Sequence, residues 1–193
     1  LGDDPKILTD WFFLRQKRTL PKPKGGSMKD AAFWIEKLDL QPHPEGGHFI
    51  ETYRSDEVIP KEALPTRFEG DRVFSTSIYF LLDKKDFSAF HIMEQDEIWH
   101  FYDGSSLTIH IIDQSGNYSR AKLGRDIQNS ESLQIVVKAH SYFAAAVNNL
   151  DSYSLVGCTV APGFEYADWK MPTREKLVDD FPEHKEIIEK FTH

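Results

Sequence analysis

The stretch Phe90-His91-Ile92-Met93-Glu94-Gln95-Asp96-Glu97-Ile98-Trp99-His100-Phe101-Tyr102-Asp103-Gly104 alternates side-chain character, breaks at a polar run, and alternates again. That is the pattern of a strand, a tight turn and an antiparallel return strand. Successive side chains of a strand point to opposite faces, so Ala89, His91 and Met93 share one face and Glu97, Trp99 and Phe101 share one face of the return strand. With both faces turned inward, His91 and Glu97 meet among aromatic rings. Ionisable groups in such surroundings are costly unless paired or used, because desolvation penalises their charged forms. They are the first candidate functional residues; the plain alternative is a satisfied core histidine beside a turn glutamate.

The same texture extends on both sides. Val73–Leu82, Ser88–Met93, Glu97–Asp103, Leu107–Asp113, Gln134–Val137, Tyr142–Val147 and Ser152–Val160 are short β-branched and aromatic runs. Asp103-Gly104, Ser115-Gly116-Asn117 and Asn148-Asn149 supply positive-φ turn chemistry between them. Many short strands at this spacing predict a mainly β, antiparallel sandwich or barrel. Ahead of it, Ala31, Trp34, Ile35 and Leu38 form one face of a short helix, with Ser27 and Asp30 arranged like a capping box and Pro42 beyond its end. After Pro172 the helical period returns at Leu177, Val178 and Phe181 and, beyond Pro182, at His184, Ile187, Ile188 and Phe191. Residues 1–27, broken by Pro5, Pro21, Pro23, Gly25 and Gly26, read as an N-terminal extension or an appended leader, and 28–193 as one domain.

The 193 residues are 40% hydrophobic and 28% charged, enough apolar mass for a sizeable core. Lys and Arg number 23 against 31 Asp and Glu, a net charge of −8, which gives no global basic field for nucleic acid or an anionic membrane. No apolar run approaches a membrane span. The single cysteine, Cys158, forms no intrachain disulfide, so the expectation is a soluble protein of a reducing, cytoplasmic compartment. Cys158 sits in the apolar run Leu155–Val160 and is assigned no catalytic role.

The order His91-x-Met93-x-x-x-Glu97-x6-Gly104 resembles the first motif of the cupin superfamily, and Lys138-Ala139-His140-Ser141-Tyr142-Phe143 stands where the second half-motif falls. His43-Pro44-Glu45-Gly46-Gly47, Glu51-Thr52-Tyr53-Arg54-Ser55, Ser75 to Leu82, Asp96 to Tyr102 and Gly157 to Phe164 are similar to one branch, the domain of unknown function 985, from about Ala32 to Asp168. The resemblance implies a double-stranded β-helix, the cupin jelly-roll barrel, flanked here by an N-terminal helix and C-terminal helical turns. It also implies pairing of two copies as a homodimer. Cupins of the metal-binding kind hold their ion with three histidines and a glutamate. In this sequence Met93 and Phe143 occupy two of those four places. A third donor would have to come from Glu51, Glu45 or His43, and the expectation is no metal and no other cofactor.

Without a metal, the barrel reads as a small-molecule pocket. On the strand after Gly47, Phe49, Glu51 and Tyr53 share a face, and a one-residue bulge there would reverse the assignment. The expected cavity gathers Glu51, Tyr53, Tyr79, His91, Met93, Glu97, Trp99 and Phe143. Trp99, Tyr79 and Phe143 would stack on a ring, with His91 and Glu97 as the polar end. The resemblance extends to metal-free sugar-nucleotide epimerases and isomerases, which implies His91 as general base, Glu97 orienting it, and Tyr53 or Tyr79 as proton donor. The other reading keeps the same residues as recognition groups of a non-catalytic binding or storage protein. In either case the expected partner is a small polar molecule, such as a carbohydrate derivative. His100 falls on the opposite face, and His110 and His140 carry no supporting pattern.

Overall fold

A computed structural model describes residues 29–84 and 86–193. The extension read at residues 1–27 lies outside them. Helix α1 (Ala31–Leu38) is capped by Asp30, whose carboxylate accepts from the Phe33 N–H, so Asp30 and not Ser27 starts the helix. Asp39 ends it in the left-handed conformation. The chain then runs through β1 (Gln41–Pro42), β2 (His48–Arg54), β3 (Val58–Ile59), β4 (Arg72–Val73), β5 (Thr76–Asp83), β6 (Phe87–Met93), β7 (Glu97–Gly104) and β8 (Leu107–Ile112). It continues through β9 (Tyr118–Leu123), β10 (Glu131–Ser132), β11 (Gln134–Val137), β12 (Tyr142–Val147), β13 (Tyr153–Val160) and β14 (Trp169–Lys170). Helices α2 (Arg174–Asp180) and α3 (Lys185–Lys190) close it.

Two six-stranded sheets face each other, ordered β1-β2-β5-β13-β7-β11 and β10-β9-β8-β12-β6-β14. All pairings within them are antiparallel except the two-residue contact of β10 with β9. Sequence neighbours β6 and β7 lie in different sheets, which is the crossing that makes a jelly roll of the strands rather than a meander. The expected mainly β fold with helices at both ends is what the chain adopts. β9 escaped the sequence reading because Tyr118-Ser119-Arg120-Ala121-Lys122-Leu123 is largely exposed and lacks an apolar face.

Three apolar clusters follow from strand parity. The inner faces interdigitate Phe80, Leu82, Met93, Trp99, Ile109, Phe143, Val156 and Val160 between the sheets. The outer face of the second sheet presents Phe90, Ile112 and Ala144 to Leu177, Ile188 and Phe191 of the C-terminal segment. Outside the first sheet, Ala31, Trp34, Ile35 and Leu38 of α1 pack on Leu81, Leu155 and Tyr153. One end of the inter-sheet space is not filled by side chains, and the candidate site lies there.

Candidate functional site

The turn His43-Pro44-Glu45-Gly46-Gly47 delivers two ionisable side chains to the inside of the barrel. Gly46 has φ +112, and a Cβ on it would stand 2.1 Å from the Phe87 carbonyl oxygen, so only glycine lets the turn press against β6. The turn thereby buries Glu45, 6% exposed, which entered the sequence reading only as one of three candidate third donors. Its Oε1 accepts from Ser88 Oγ at 2.8 Å and its Oε2 from Trp169 Nε1 at 3.3 Å. His43 Nδ1 and His91 Nδ1 stand 3.6 and 3.4 Å from the same Oε2.

His91 on β6 is 2% exposed and packs its ring 4.0 Å, centroid to centroid, from Phe143 on β12. Its Nδ1 lies 2.8 Å from the Ala89 carbonyl oxygen, which makes Nδ1 the protonated nitrogen and leaves Nε2 as the acceptor. Glu97 opens β7 and is 7% exposed; its Oε2 accepts from Trp99 Nε1 at 2.8 Å. Burial pushes the Glu97 carboxyl up to about 7, against an opposing pull from His91 and a further push from Glu45. Burial likewise raises Glu45 and lowers His43 and His91. The resting site near neutral pH therefore holds neutral imidazoles beside a Glu97 carboxyl that titrates in the same range.

These groups line a cavity of about 280 Å³ whose walls are Phe49, Ile78, Phe80, Met93, Trp99, Cys158, Val160, Phe164 and Trp169. At its mouth Arg54 donates to Glu51 at 3.0 and 2.9 Å, to Glu165 at 2.8 Å and to the Phe164 carbonyl at 3.2 Å. The Phe164–Trp169 segment, which carries three of the lining residues besides Glu165, is tied down from behind. Arg72 and Asp168, 4% and 3% exposed, form a two-pronged pair whose Nε–Oδ2 contact is 2.6 Å, and Gln95 donates to the same carboxylate at 2.6 Å.

Of the residues read from the sequence, the fold brings Glu51, His91, Met93, Glu97 and Trp99 to this one cavity, with Phe143 packed behind His91. It does not bring Tyr53 or Tyr79. On β2 the ladder pairs Glu51 with Ile78 but Tyr53 with Ser77, so Thr52 is bulged out and the strand's parity flips. Tyr53 is 54% exposed, and Arg54 turns to the mouth in its place. Tyr79 alternates with Ile78 and Phe80, which point inward; it lies on the outer face against Tyr102 and the α1 cluster. Neither tyrosine is therefore placed to give a proton to a ligand in the cavity. His100 is an outer-face residue, 3.1 Å from Thr159 Oγ1.

The sequence missed Trp169, Phe164, Glu165 and Tyr166, which arrive from a segment with no strand or helix period. It also missed Phe80, which the alternation Ile78-Tyr79-Phe80 could have revealed once Tyr79 was placed outside. Cys158, given no role, faces the cavity, where burial raises its thiol well above its ordinary value.

The donor set does not suit a bound metal ion. Met93 and Phe143, at two of the four places where the resemblance puts metal ligands, offer a soft thioether and no donor at all. Among the described residues, no group of three His, Cys, Asp or Glu side chains is arranged to hold one.

Residues 32–172 match the sequence profile of a family described as cupin superfamily (DUF985). A solved protein of Shewanella oneidensis is 37% identical, with 86% of this chain and 99% of that one covered and a TM-score of 0.78. A hypothetical protein from Leishmania major is 30% identical over 85% of this chain and 99% of that one, TM-score 0.77. A variant of oxalate decarboxylase from Bacillus subtilis shares the fold at 15% identity, covering 80% of this chain and 38% of that one, TM-score 0.50. Among curated proteins nothing matches.

Proposed function

The chain belongs to the cupin superfamily, in the family of DUF985, and from that premise we propose that its barrel binds a small polar molecule and moves a proton on it without a metal. The observation that supports this reading is the pairing, in one apolar cavity, of an imidazole with a free Nε2 and a carboxyl whose pKa is about 7. A neutral His91 is a competent base, and a protonated Glu97 is a competent acid at the same pH. Glu45, fixed by Ser88 and Trp169, holds the Nδ1 side of His91 and steadies its tautomer. The tyrosine donor implied by the resemblance has no part in this scheme.

The cavity's volume, about 280 Å³, lies just below the roughly 300–1,000 Å³ usual for ligand sites, which favours one ring over a whole nucleotide inside it. A carbohydrate-like ring stacked on Trp99 or Trp169 fits that space, with epimerisation or isomerisation as the reaction class. Incubating the protein with monosaccharides and sugar nucleotides in deuterated water tests it. Exchange of a carbon-bound hydrogen, lost in His91→Gln, is the expected result. Shift perturbation without exchange would leave a binding protein. Elemental analysis is expected to show well under one equivalent of zinc, iron, manganese or nickel; a full equivalent would overturn the metal-free scheme.

A further inference from the structure

Resting on that reading of the cavity as a ligand site, we propose that the ligand carries a protonated amine, seated between Glu45 and Glu97 against the aromatic walls. Both carboxyls are more than nine-tenths buried and line the same space. Among the described residues, the lining holds no lysine and a single arginine, Arg54, which stands at the mouth and is committed to Glu51 and Glu165. The buried Arg72 is committed to Asp168. The floor of the cavity thus has two acidic groups with no cation of its own to oppose them. A carboxyl buried in this way keeps its proton until a cation arrives to pair with the ionised form.

The hydrogen-bond inventory points the same way. The two indole N–H groups, of Trp99 and Trp169, already donate to Glu97 and Glu45. His91 spends its N–H on the Ala89 carbonyl, and its Nε2 has no partner among the described residues although the side chain is 98% buried and lines the cavity. Apart from the ring of His43, whose Nδ1 accepts from the Glu45 N–H at 3.4 Å and whose Nε2 therefore keeps its proton, what the floor offers a newcomer is acceptors. An ammonium brings three donors and a positive charge; a hydroxyl brings one donor and no charge, and a carboxylate or phosphate brings neither. The walls add Phe49, Phe80, Trp99 and Trp169, whose ring faces attract a cation. The titratable and charged groups around the seat are His43, Glu45, His91, Glu97 and Cys158 inside, with Glu51, Arg54, Glu165 and Tyr166 at the mouth.

Calorimetry on the full chain at pH 7.5 tests this with cyclohexylamine, cyclohexanol and cyclohexanecarboxylate, and with glucosamine against glucose. Each amine is expected to bind about tenfold or more tightly than its hydroxyl counterpart, with the carboxylate weakest. Glu97→Gln is expected to erase the preference, and Glu45→Gln to do the same where it folds. If glucose or cyclohexanol binds as well as the amine, the amine assignment falls and the cavity reading survives. If none of the five binds, both fall. A stoichiometric divalent metal in the purified protein would also overturn it, because that ion would take the two carboxyls.

Discussion

Glu97 shows what a single buried acid does to the whole molecule. Its carboxyl is raised from 4.5 to about 7, so the folded chain keeps a proton that the unfolded chain has lost between those values. Stability conferred at low pH is therefore withdrawn as pH rises from about 4.5 to 7, by on the order of 3 kcal/mol. Glu97→Gln is expected to raise stability over wild type at pH 8 and to leave it near wild type at pH 4.5, measured by urea unfolding at both; equal gains at the two would refute the assignment. His110 acts with the opposite sign. Burial, with Lys190 and Arg120 adding to it, lowers its imidazole to about 4, so the folded state loses stability as pH falls from 6.5 to about 4. His110→Phe, which gives up the 2.7 Å contact with Tyr118 Oη, is expected to flatten that acid limb of the stability curve. At this scale the sequence was informative where strand parity runs unbroken from a tight turn, as at His91, Met93, Glu97 and Trp99. It was uninformative at Glu45, because whether a glutamate in a Pro-Gly-Gly turn points in or out depends on the distant Ser88 and Trp169 that receive it.

Among the elements, the segment from Phe164 to β14 has the largest influence on the site for its size. It pairs with β6 through Trp169 and Lys170, and its one-turn helix Tyr166–Asp168 is anchored by Arg72 and Gln95. Arg72→Ala would leave Asp168 buried without its cation, a loss of about 3–5 kcal/mol. The expected outcome is a lower midpoint in denaturant together with weaker ligand binding, because the Trp169 wall depends on the same anchor. Asp168→Asn, which keeps the Gln95 contact and removes the charge, is expected to cost no less, since it strands the guanidinium; a variant at wild-type stability would show the anchor to be idle. Periodicity could not announce this segment, since its order comes from contacts to residues 73 and 96 positions away. β2 failed differently: alternation was the right rule, and one bulged residue reversed its result.

Across the whole molecule, the outer face of the first sheet is free of charge along two cross-strand rows. Tyr53, Ser77, Thr159, Ile98 and Val136 form one; Ile50, Tyr79, Gly157, His100 and Gln134 form the other. At Gly157 a Cβ would stand 2.3 Å from Tyr102 Oη, so the glycine lets that ring lie flat on the sheet. Helix α1 covers the Ile50 and Tyr79 end, and Tyr53, Tyr102 and Val136 stay about half exposed. With a net charge of −8 to keep copies apart elsewhere, this face is the one we propose for a second copy. Sedimentation at micromolar concentration is expected to give twice 22.3 kDa, and Tyr102→Glu to return the monomer. The bulge at Thr52 has a consequence in the comparison of chain lengths. The ladder has no opposing residue for Thr52, so a chain lacking it would still set Glu51 against Ile78, Tyr53 against Ser77 and Arg54 against Thr76. Relatives can thus differ by one residue at this point and keep the same guanidinium at the mouth, whereas one residue lost between Gly47 and Glu51 would shift every inward position of the strand. In an alignment, a gap at 52 is silent for the pocket, and a gap three places earlier rewrites it.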